Sequence, residues 1–293
     1  MTLPSLPPAA GTVLARIRAH TGELHPGEQR VAHVVLDRPE WTIEASAQDV
    51  ADAAGVSRAT VVRTAQRLGF AGYPQLRVLL ARDVGLSGAW TRTSGEPEEP
   101  IEIVRAYFHD VARAVDGMLA LLAADDVRRA VDLLAGAATT LVIGNGLSST
   151  LAAEAAMRLN AIGRSAEAPA DYVSQSVKAR LLRPQDVCLV VSGTGSTTPT
   201  LQAARAARSA GAEIVALTAF TGSPLGELAS VTLVAGMGAT SFRDEITTTT
   251  RIPQGMLLNA LVGAVRRRDP AGAQDAQARL LEVIGEALVQ DPP

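Results

Sequence analysis

Residues 187–200 read Val-Cys-Leu-Val-Val-Ser-Gly-Thr-Gly-Ser-Thr-Thr-Pro-Thr, and the change of character inside this stretch decides the fold. The apolar run 187–191 gives way to glycines and hydroxyls, and a helical pattern follows over Leu201–Ala210. Strand, small-residue turn and helix start, in that order, is how an α/β protein builds an anion site. The first backbone N–H groups of a helix lack intrahelical partners and point where a phosphate can sit. Gly193 and Gly195 let the backbone come close, and Ser192, Thr194, Ser196, Thr197 and Thr198 bring hydroxyl donors without competing negative charge. The segment lacks the lysine of a GxxxxGK(S/T) loop, and its glycines do not fit GxGxxG. Taken alone, it fits either a phosphate cradle or a plain tight turn.

The pattern around it alternates from Thr139 onward. Strands are expected near 139–143, 187–191, 213–218 and 231–235, with a weaker one near 164–167. Helices are expected at about 149–162, 173–182, 198–210, 253–267 and 273–289. Such alternation means a parallel sheet covered by helices on both faces. Upstream, residues 1–82 read as helical throughout, with short connections. Residues 85–100 are rich in Gly, Ser and Pro and end acidic, so they read as a linker. Amphipathic helices follow at Ile101–Leu122, which fits core packing or a dimer contact, and at Asp125–Leu134. The expected organisation is a helical domain over 1–84, a linker over 85–100, and an α/β domain with flanking helices over 101–293.

A chain of 293 residues has room for about two domains. Its 47% hydrophobic and 19% charged content is that of a globular protein, not a disordered one. A net charge of −3 argues against coating nucleic acid non-specifically, but leaves room for one small DNA-reading face. The single cysteine, Cys188, has no internal disulfide partner and fits a buried strand in a reducing compartment. No uncharged apolar stretch reaches the roughly 20 residues of a membrane span. The chain therefore reads as cytoplasmic, with no membrane partner, no cofactor and no metal cluster.

In the N-terminal half, Ser46-Ala-Gln-Asp49 fits a helix N-cap signature. Gly55 permits the left-handed backbone of a tight inter-helix turn, and Ser57 can cap the next helix. Ala51 would keep the two helices close, with Val56 and Val61 filling the wedge, which is a helix-turn-helix arrangement. At about 100° per residue, Val61, Ala65 and Leu68 share one stripe. Ala59, Arg63 and Gln66 fall opposite, flanked by Thr60 and Arg67. Such a helix offers one face to a major groove, where Arg reads guanine and Gln adenine. Between Ala53 and Arg82 lie Arg58, Arg63, Arg67, Arg77 and Arg82 with no acid, which lowers repulsion from DNA phosphates. An ordinary helical hairpin with a solvated arginine face has the same local pattern. The expected DNA-contacting residues are Ser57, Arg58, Ala59, Thr60, Arg63, Gln66 and Arg67.

With both halves in view, the chain resembles the RpiR/MurR-type bacterial transcription regulators, which join an N-terminal helix-turn-helix to a sugar isomerase (SIS) domain. The resemblance covers roughly residues 12–265. It rests on Ala54-Gly-Val-Ser-Arg-Ala-Thr-Val-Val-Arg, Leu68-Gly-Phe-Ala-Gly-Tyr, Ile143-Gly-Asn-Gly-Leu-Ser-Ser, Val191-Ser-Gly-Thr-Gly-Ser-Thr, and Ala216-Leu-Thr followed by Ser223-Pro-Leu. It implies an all-α helix-turn-helix domain followed by a flavodoxin-like, five-stranded parallel sheet. It also implies operator DNA and a phosphosugar-like effector as partners, and self-association as a homodimer or homotetramer. Carried over residue by residue, Ser148 matches a serine that helps hold the ligand, and Ser192, Thr194 and Thr197 match hydroxyls that ring the phosphate. With the glycines and neighbouring hydroxyls, the expected effector site is Gly146, Ser148, Ser149, Ser192, Gly193, Thr194, Gly195, Ser196 and Thr197. Many relatives have Ser at position 194 and an acid at position 196, so Ser196 points to a less typical ligand. Asp171 falls where relatives often have an acid before a helix.

Sugar-phosphate isomerases and lyases share the SIS fold, so an enzyme with an N-terminal assembly domain is the alternative. Isomerisation needs a base beside the carbonyl. All four histidines (His20, His25, His33, His109) precede the first expected strand of the α/β domain, and Lys178 is the only lysine. Glu245, in Asp244-Glu245, is the best candidate base, although that pair also fits a solvated loop. Arg266-Arg-Arg268 reads as a solvated helix end. The reading that follows is a ligand-responsive DNA-binding regulator, not an enzyme.

Overall fold

The structure, a computed structural model, describes residues 13–87, 99–220, 222–236, 246 and 250–287. The chain divides between Tyr107 and Phe108 into two compact units. Among the described residues the first is helical: α1 (Val13–His20), α2 (Pro26–Asp37), α3 (Pro39–Glu44), α4 (Ala47–Ala54), α5 (Arg58–Arg67) and α6 (Tyr73–Ser87). Val31, Ala32 and Val35 of α2, Val50 and Ala51 of α4, Val61, Ala65 and Leu68 at α5, and Leu76 and Leu80 of α6 are all buried. The backbone ends that this packing encloses are satisfied by side chains. The Val13 N–H donates to the buried Asp83 carboxylate at 2.7 Å. At the end of α3, the Tyr73 hydroxyl lies 3.0 Å from the carbonyls of both Thr42 and Ala45, and Arg77 donates to those of Ile43 and Glu44. Burial pushes the Tyr73 phenol up and the Arg77 guanidinium down from their ordinary values.

Part of the expected linker is helical. Gly85–Ser87 continue α6, Pro100 begins α7 (Pro100–Ala120), and 88–98 lie outside the described residues. After α7 come α8 (Ala124–Gly136), β1 (Thr140–Gly144), α9 (Ser148–Ala161), β2 (Ala166–Glu167), α10 (Tyr172–Leu181), β3 (Val187–Val191), α11 (Thr198–Ser209), β4 (Glu213–Thr218), β5 (Val231–Val234), α12 (Ile252–Arg266) and α13 (Pro270–Ala287). All strand pairs are parallel and the sheet order is β2-β1-β3-β4-β5. The expected strands fall within two residues of their places, and α13 begins three residues before the expected start.

Alternate strand residues enter two cores, as a pleated sheet covered on both faces requires. Val142, Leu189, Val191, Val215 and Leu217 pack with α8, α9 and α12 residues such as Leu134, Leu151, Leu159 and Leu258. Leu141, Ile143, Cys188, Val190 and Ile214 pack on the other face with Ala179 of α10 and Leu201, Ala204 and Ala207 of α11. Cys188 is fully buried, and burial alone pushes its thiol up to about 12. No helix among the described residues is long and apolar enough to cross a membrane.

Candidate functional sites

The α4–α5 pair begins with a complete capping box. The Asp49 N–H donates to Ser46 Oγ at 3.1 Å, and the Ser46 N–H donates to the Asp49 carboxylate at 2.8 Å. Gly55 ends α4 at φ 61°, ψ 46°, and Ser57 Oγ accepts from the Thr60 N–H at 3.2 Å, starting α5. Arg30 of α2, which the sequence pattern did not flag, donates from Nε to the Ala54 carbonyl at 2.8 Å and from its terminal nitrogen to that of Gly55 at 3.2 Å. The turn is therefore fastened from a third helix.

Along α5, Val61, Thr64 and Ala65 are buried, while Ala59, Arg63 and Gln66 are exposed. Ser57 is also exposed, and Arg58 and Thr60 are half-buried. Arg63 donates to Thr60 Oγ1 at 3.3 Å. Arg67 differs from its neighbours: it pairs at 3.0 Å with Glu28, a buried carboxylate that also accepts from the His25 N–H at the start of α2.

At the other end of the chain the sheet order reverses at β1, with β2 on one side and β3 on the other. In open α/β sheets the ligand crevice lies beyond the carboxyl ends of the strands at that switch point. Gly144, the last residue of β1, pairs in register with Val191, the last of β3, so turns 145–147 and 192–197 leave adjacent strands side by side. A direct bond joins them: the Asn145 side-chain amide donates to Thr200 Oγ1 in the first turn of α11 at 2.9 Å and to Gln175 Oε1 at 3.0 Å. Gln175, 1% exposed, in turn donates to the carbonyls of Gly144 and Pro169. Sequence reasoning missed this Asn145–Gln175–Thr200 brace. Its only signal was Asn145 in the Ile143-Gly-Asn run; nothing marks a polar residue inside α10.

The first turn is tight. Gly146 has φ 58°, and the Ser148 and Ser149 N–H groups bond back to the carbonyls of Asn145 and Gly146. Ser148 is buried, and the Ser149 hydroxyl donates to the Gly146 carbonyl at 2.7 Å. The second turn is held from outside. The Gly193 carbonyl accepts from Thr218 Oγ1 at 3.0 Å and from the Ala219 N–H at 2.9 Å, and the Gly195 carbonyl accepts from the Leu225 N–H at 3.0 Å. A trans peptide points its N–H opposite to its C=O. The Thr194 and Ser196 amides therefore face away from these anchors, an arrangement of donors that suits an anion. Of the two, the Ser196 N–H already donates to Thr194 Oγ1 at 3.3 Å, so it reaches an anion only by giving up that bond. A Cβ on Gly195, whose φ is 59°, would collide with the Ser223 side chain, so glycine is required. Ser192 is buried, Thr194 and Ser196 are half-buried, and Thr197 is exposed. Thr197 is the N-cap of α11, yet its side chain makes no capping bond. Thr218 and Ser223 thus shape the loop.

Several charged groups of this unit have structural partners. Asp171 caps α10, accepting from the Val173 and Ser174 N–H groups at 3.0 and 2.9 Å. Hydrogen bonding, from the Ser174 side chain first, holds its carboxyl below the usual range. Lys178 pairs with Glu167 at 2.8 Å and Glu154 with Arg158 at 2.7 Å. The Asp186 carboxylate accepts from the Arg183 N–H. Asp244 and Glu245 lie outside the described residues. A concavity of about 590 Å³ runs along α10 and α11, lined by Arg180, Gln202, Arg205 and Ser209, all exposed.

Comparison with known proteins agrees with this division. The helix-turn-helix domain of the rpiR family matches residues 11–86, and the SIS domain matches residues 133–264. The HTH-type transcriptional regulator HexR of Pseudomonas aeruginosa is 32% identical over 222 residues, 75% of this chain and 78% of that protein. An uncharacterized HTH-type transcriptional regulator of Thermotoga maritima is 27% identical over 275 residues, 92% of this chain and 98% of that one. Among solved structures, Vibrio vulnificus NanR complexed with ManNAc-6P superposes with a TM-score of 0.75 at 24% identity, covering 95% of this chain and 100% of that one. With a helix-turn-helix domain ahead of a SIS domain and a relative such as HexR, the chain belongs to the RpiR family of transcriptional regulators.

Proposed function

We propose that this regulator reads operator DNA with α5 and responds to a phosphorylated sugar or related anionic metabolite held at the carboxyl ends of β1 and β3. The observation that carries the effector half is the 192–197 turn, where the anchored Gly193 carbonyl leaves the Thr194 amide facing away from its anchors, beside the uncapped start of α11. Ser148, Ser149, Ser192, Thr194, Ser196 and Thr197 surround that donor set with hydroxyls, and Gly146, Gly193 and Gly195 let the backbone approach. The ManNAc-6P of the NanR complex supports a phosphosugar as the ligand class. On the DNA side, Ser57, Arg58, Ala59, Thr60, Arg63 and Gln66 form the contacting set. Arg67 contributes positive charge to it from a pair with Glu28.

The protein acts in the cytoplasm as a homodimer or homotetramer, and the effector changes the placement of paired helix-turn-helix units. To alter DNA affinity it must bind one arrangement better than the other; a preference of 10- to 100-fold corresponds to about 1.4–2.7 kcal/mol. Among the described acids, Asp171 caps a helix and Glu154 and Glu167 are in ion pairs, which favours sensing over turnover for these three; the candidate base Glu245 lies outside the described residues. Paired variants test the assignment by operator binding and ligand-induced thermal shift. Arg63→Ala abolishes specific DNA binding and keeps the effector response. Ser192→Ala with Thr197→Ala keeps DNA binding and loses the response. If either variant impairs both functions equally, or if the wild-type protein turns over a phosphosugar, the proposal fails.

A further inference from the structure

The donor-rich loop accounts for an anion but not for the rest of a sugar, and one buried acceptor stands unused at the same edge of the sheet. Gln254, in the first turn of α12, is 1% exposed, and its Oε1 has no hydrogen-bond partner among the described residues. Native proteins rarely bury such an acceptor without a use for it. Its place is fixed by its neighbours. A Cβ on Gly255 would lie 3.4 Å from Leu151 Cδ2, so α12 begins beside the first turn of α9. Ser148, which begins α9, follows the turn at the end of β1. Leu257 and Leu258, the next residues inward, share a core with Val142, Leu151 and Val191. Gln254 therefore stands over the carboxyl edge of the sheet, on the face covered by α9.

We propose that Gln254 reads the sugar while the 192–197 loop holds the phosphate. The proposal rests on the sensor reading above. The division follows from chemistry: a phosphate dianion offers only acceptors, which suits the amides and hydroxyls of the loop and repels a carbonyl oxygen. The unpaired Oε1 needs a donor, and the ring or chain of a sugar phosphate supplies one as a hydroxyl or an amide N–H. A site whose buried acceptor stays unpaired with the wrong ligand discriminates strongly against sugars lacking that donor.

The test uses the full-length protein and calorimetric titration with inorganic phosphate, glucose 6-phosphate, glucosamine 6-phosphate and N-acetylmannosamine 6-phosphate. The wild-type protein is expected to bind at least one sugar phosphate more tightly than inorganic phosphate. Gln254→Met, of similar size and with only a weakly accepting sulfur, lowers that affinity by about tenfold or more. It leaves the affinity for inorganic phosphate unchanged and the ligand-free Tm equal or higher, since no bond is lost in the empty protein. Gln254→Leu gives the same split. Unchanged sugar-phosphate affinity in both variants overturns the assignment. So does a fall in Tm with parallel loss of both affinities, which would make Gln254 a structural residue. A wild-type protein that binds phosphate without preferring any sugar phosphate overturns it as well. Binding of none of the four by wild type instead sinks the sensor reading, and this inference with it.

Discussion

Helices α5 and α11 both begin after a short polar turn with a hydroxyl residue at the N-cap, yet they use it in opposite ways. Ser57 Oγ accepts from the Thr60 N–H, so α5 is closed by its own chain, and Arg30 fastens the turn before it. Thr197 makes no such bond, and the loop before it is tied back through its carbonyls instead. A closed start leaves the outward side chains, such as the exposed Arg63 and Gln66, as what the helix can offer to a partner. An open start keeps backbone donors for something that is not part of the chain. On the proposed function, the same local grammar builds a reader in one unit and a receptor in the other, and the difference lies in where the cap's hydrogen bond goes.

The largest effect expected from disturbing this contrast is at the glycines. A Cβ on Gly144 would run into the backbone carbonyl of Ser148, and backbone yields less readily than a side chain. Gly144→Ala should cost about 3 kcal/mol or more in the unfolding transition of the α/β unit, at the upper end of what overpacking does, and abolish the effector response. Gly55 is left-handed but has open space where its Cβ would be. Gly55→Ala should therefore cost only the strain of that backbone, about 1–2 kcal/mol, in the helical unit, with effector binding retained. Denaturant unfolding followed separately for the two units reads both. Equal losses at the two sites would mean that the β1–α9 turn is no tighter than an ordinary helix end.

A smaller pair of effects tests the caps themselves. Ser57→Ala should destabilise the helical unit by about 1 kcal/mol, the usual cost of a lost N-cap. Thr197→Ala removes no such bond, so stability should stay within about 0.5 kcal/mol while phosphosugar affinity falls about tenfold. Thermal melting with and without ligand separates the outcomes. A Thr197→Ala protein that melts early and binds normally would show that α11 is closed like α5.

Much of this was legible in the sequence, because the strands are apolar runs and the turns between them are rich in glycine and hydroxyls. The stripe Val61, Ala65 and Leu68 is buried as its spacing predicts, and the helices of the α/β unit begin within a few residues of their expected places. What was hidden depends on tertiary partners. The pair of Arg67 with Glu28 spans 39 positions, and the Asn145–Thr200 bond spans 55. No local pattern reports which distant residue a side chain will meet. Gln175 and Gln254 escaped for the same reason: a buried amide inside a helix has the same local signature as a solvated one.

The smallest expected effect concerns Asp171, whose position before a helix fits either a cap or a ligand contact. Its carboxylate accepts two backbone N–H bonds, which places it with Ser57 among the closed starts. Because these bonds hold its folded-state pKa below the ordinary value, the stabilisation is present at neutral pH and is lost as pH falls through that depressed value. Asp171→Asn keeps an acceptor for the same amides, so its neutral Tm should stay near that of wild type while the acid-side decline becomes shallower. Asp171→Ala should lower the neutral Tm slightly, and both variants should keep the effector-induced shift. Loss of that shift in Asp171→Asn, with melting unchanged, would move α10 from the closed class to the receptor and make the start of α10 a third wall of the site.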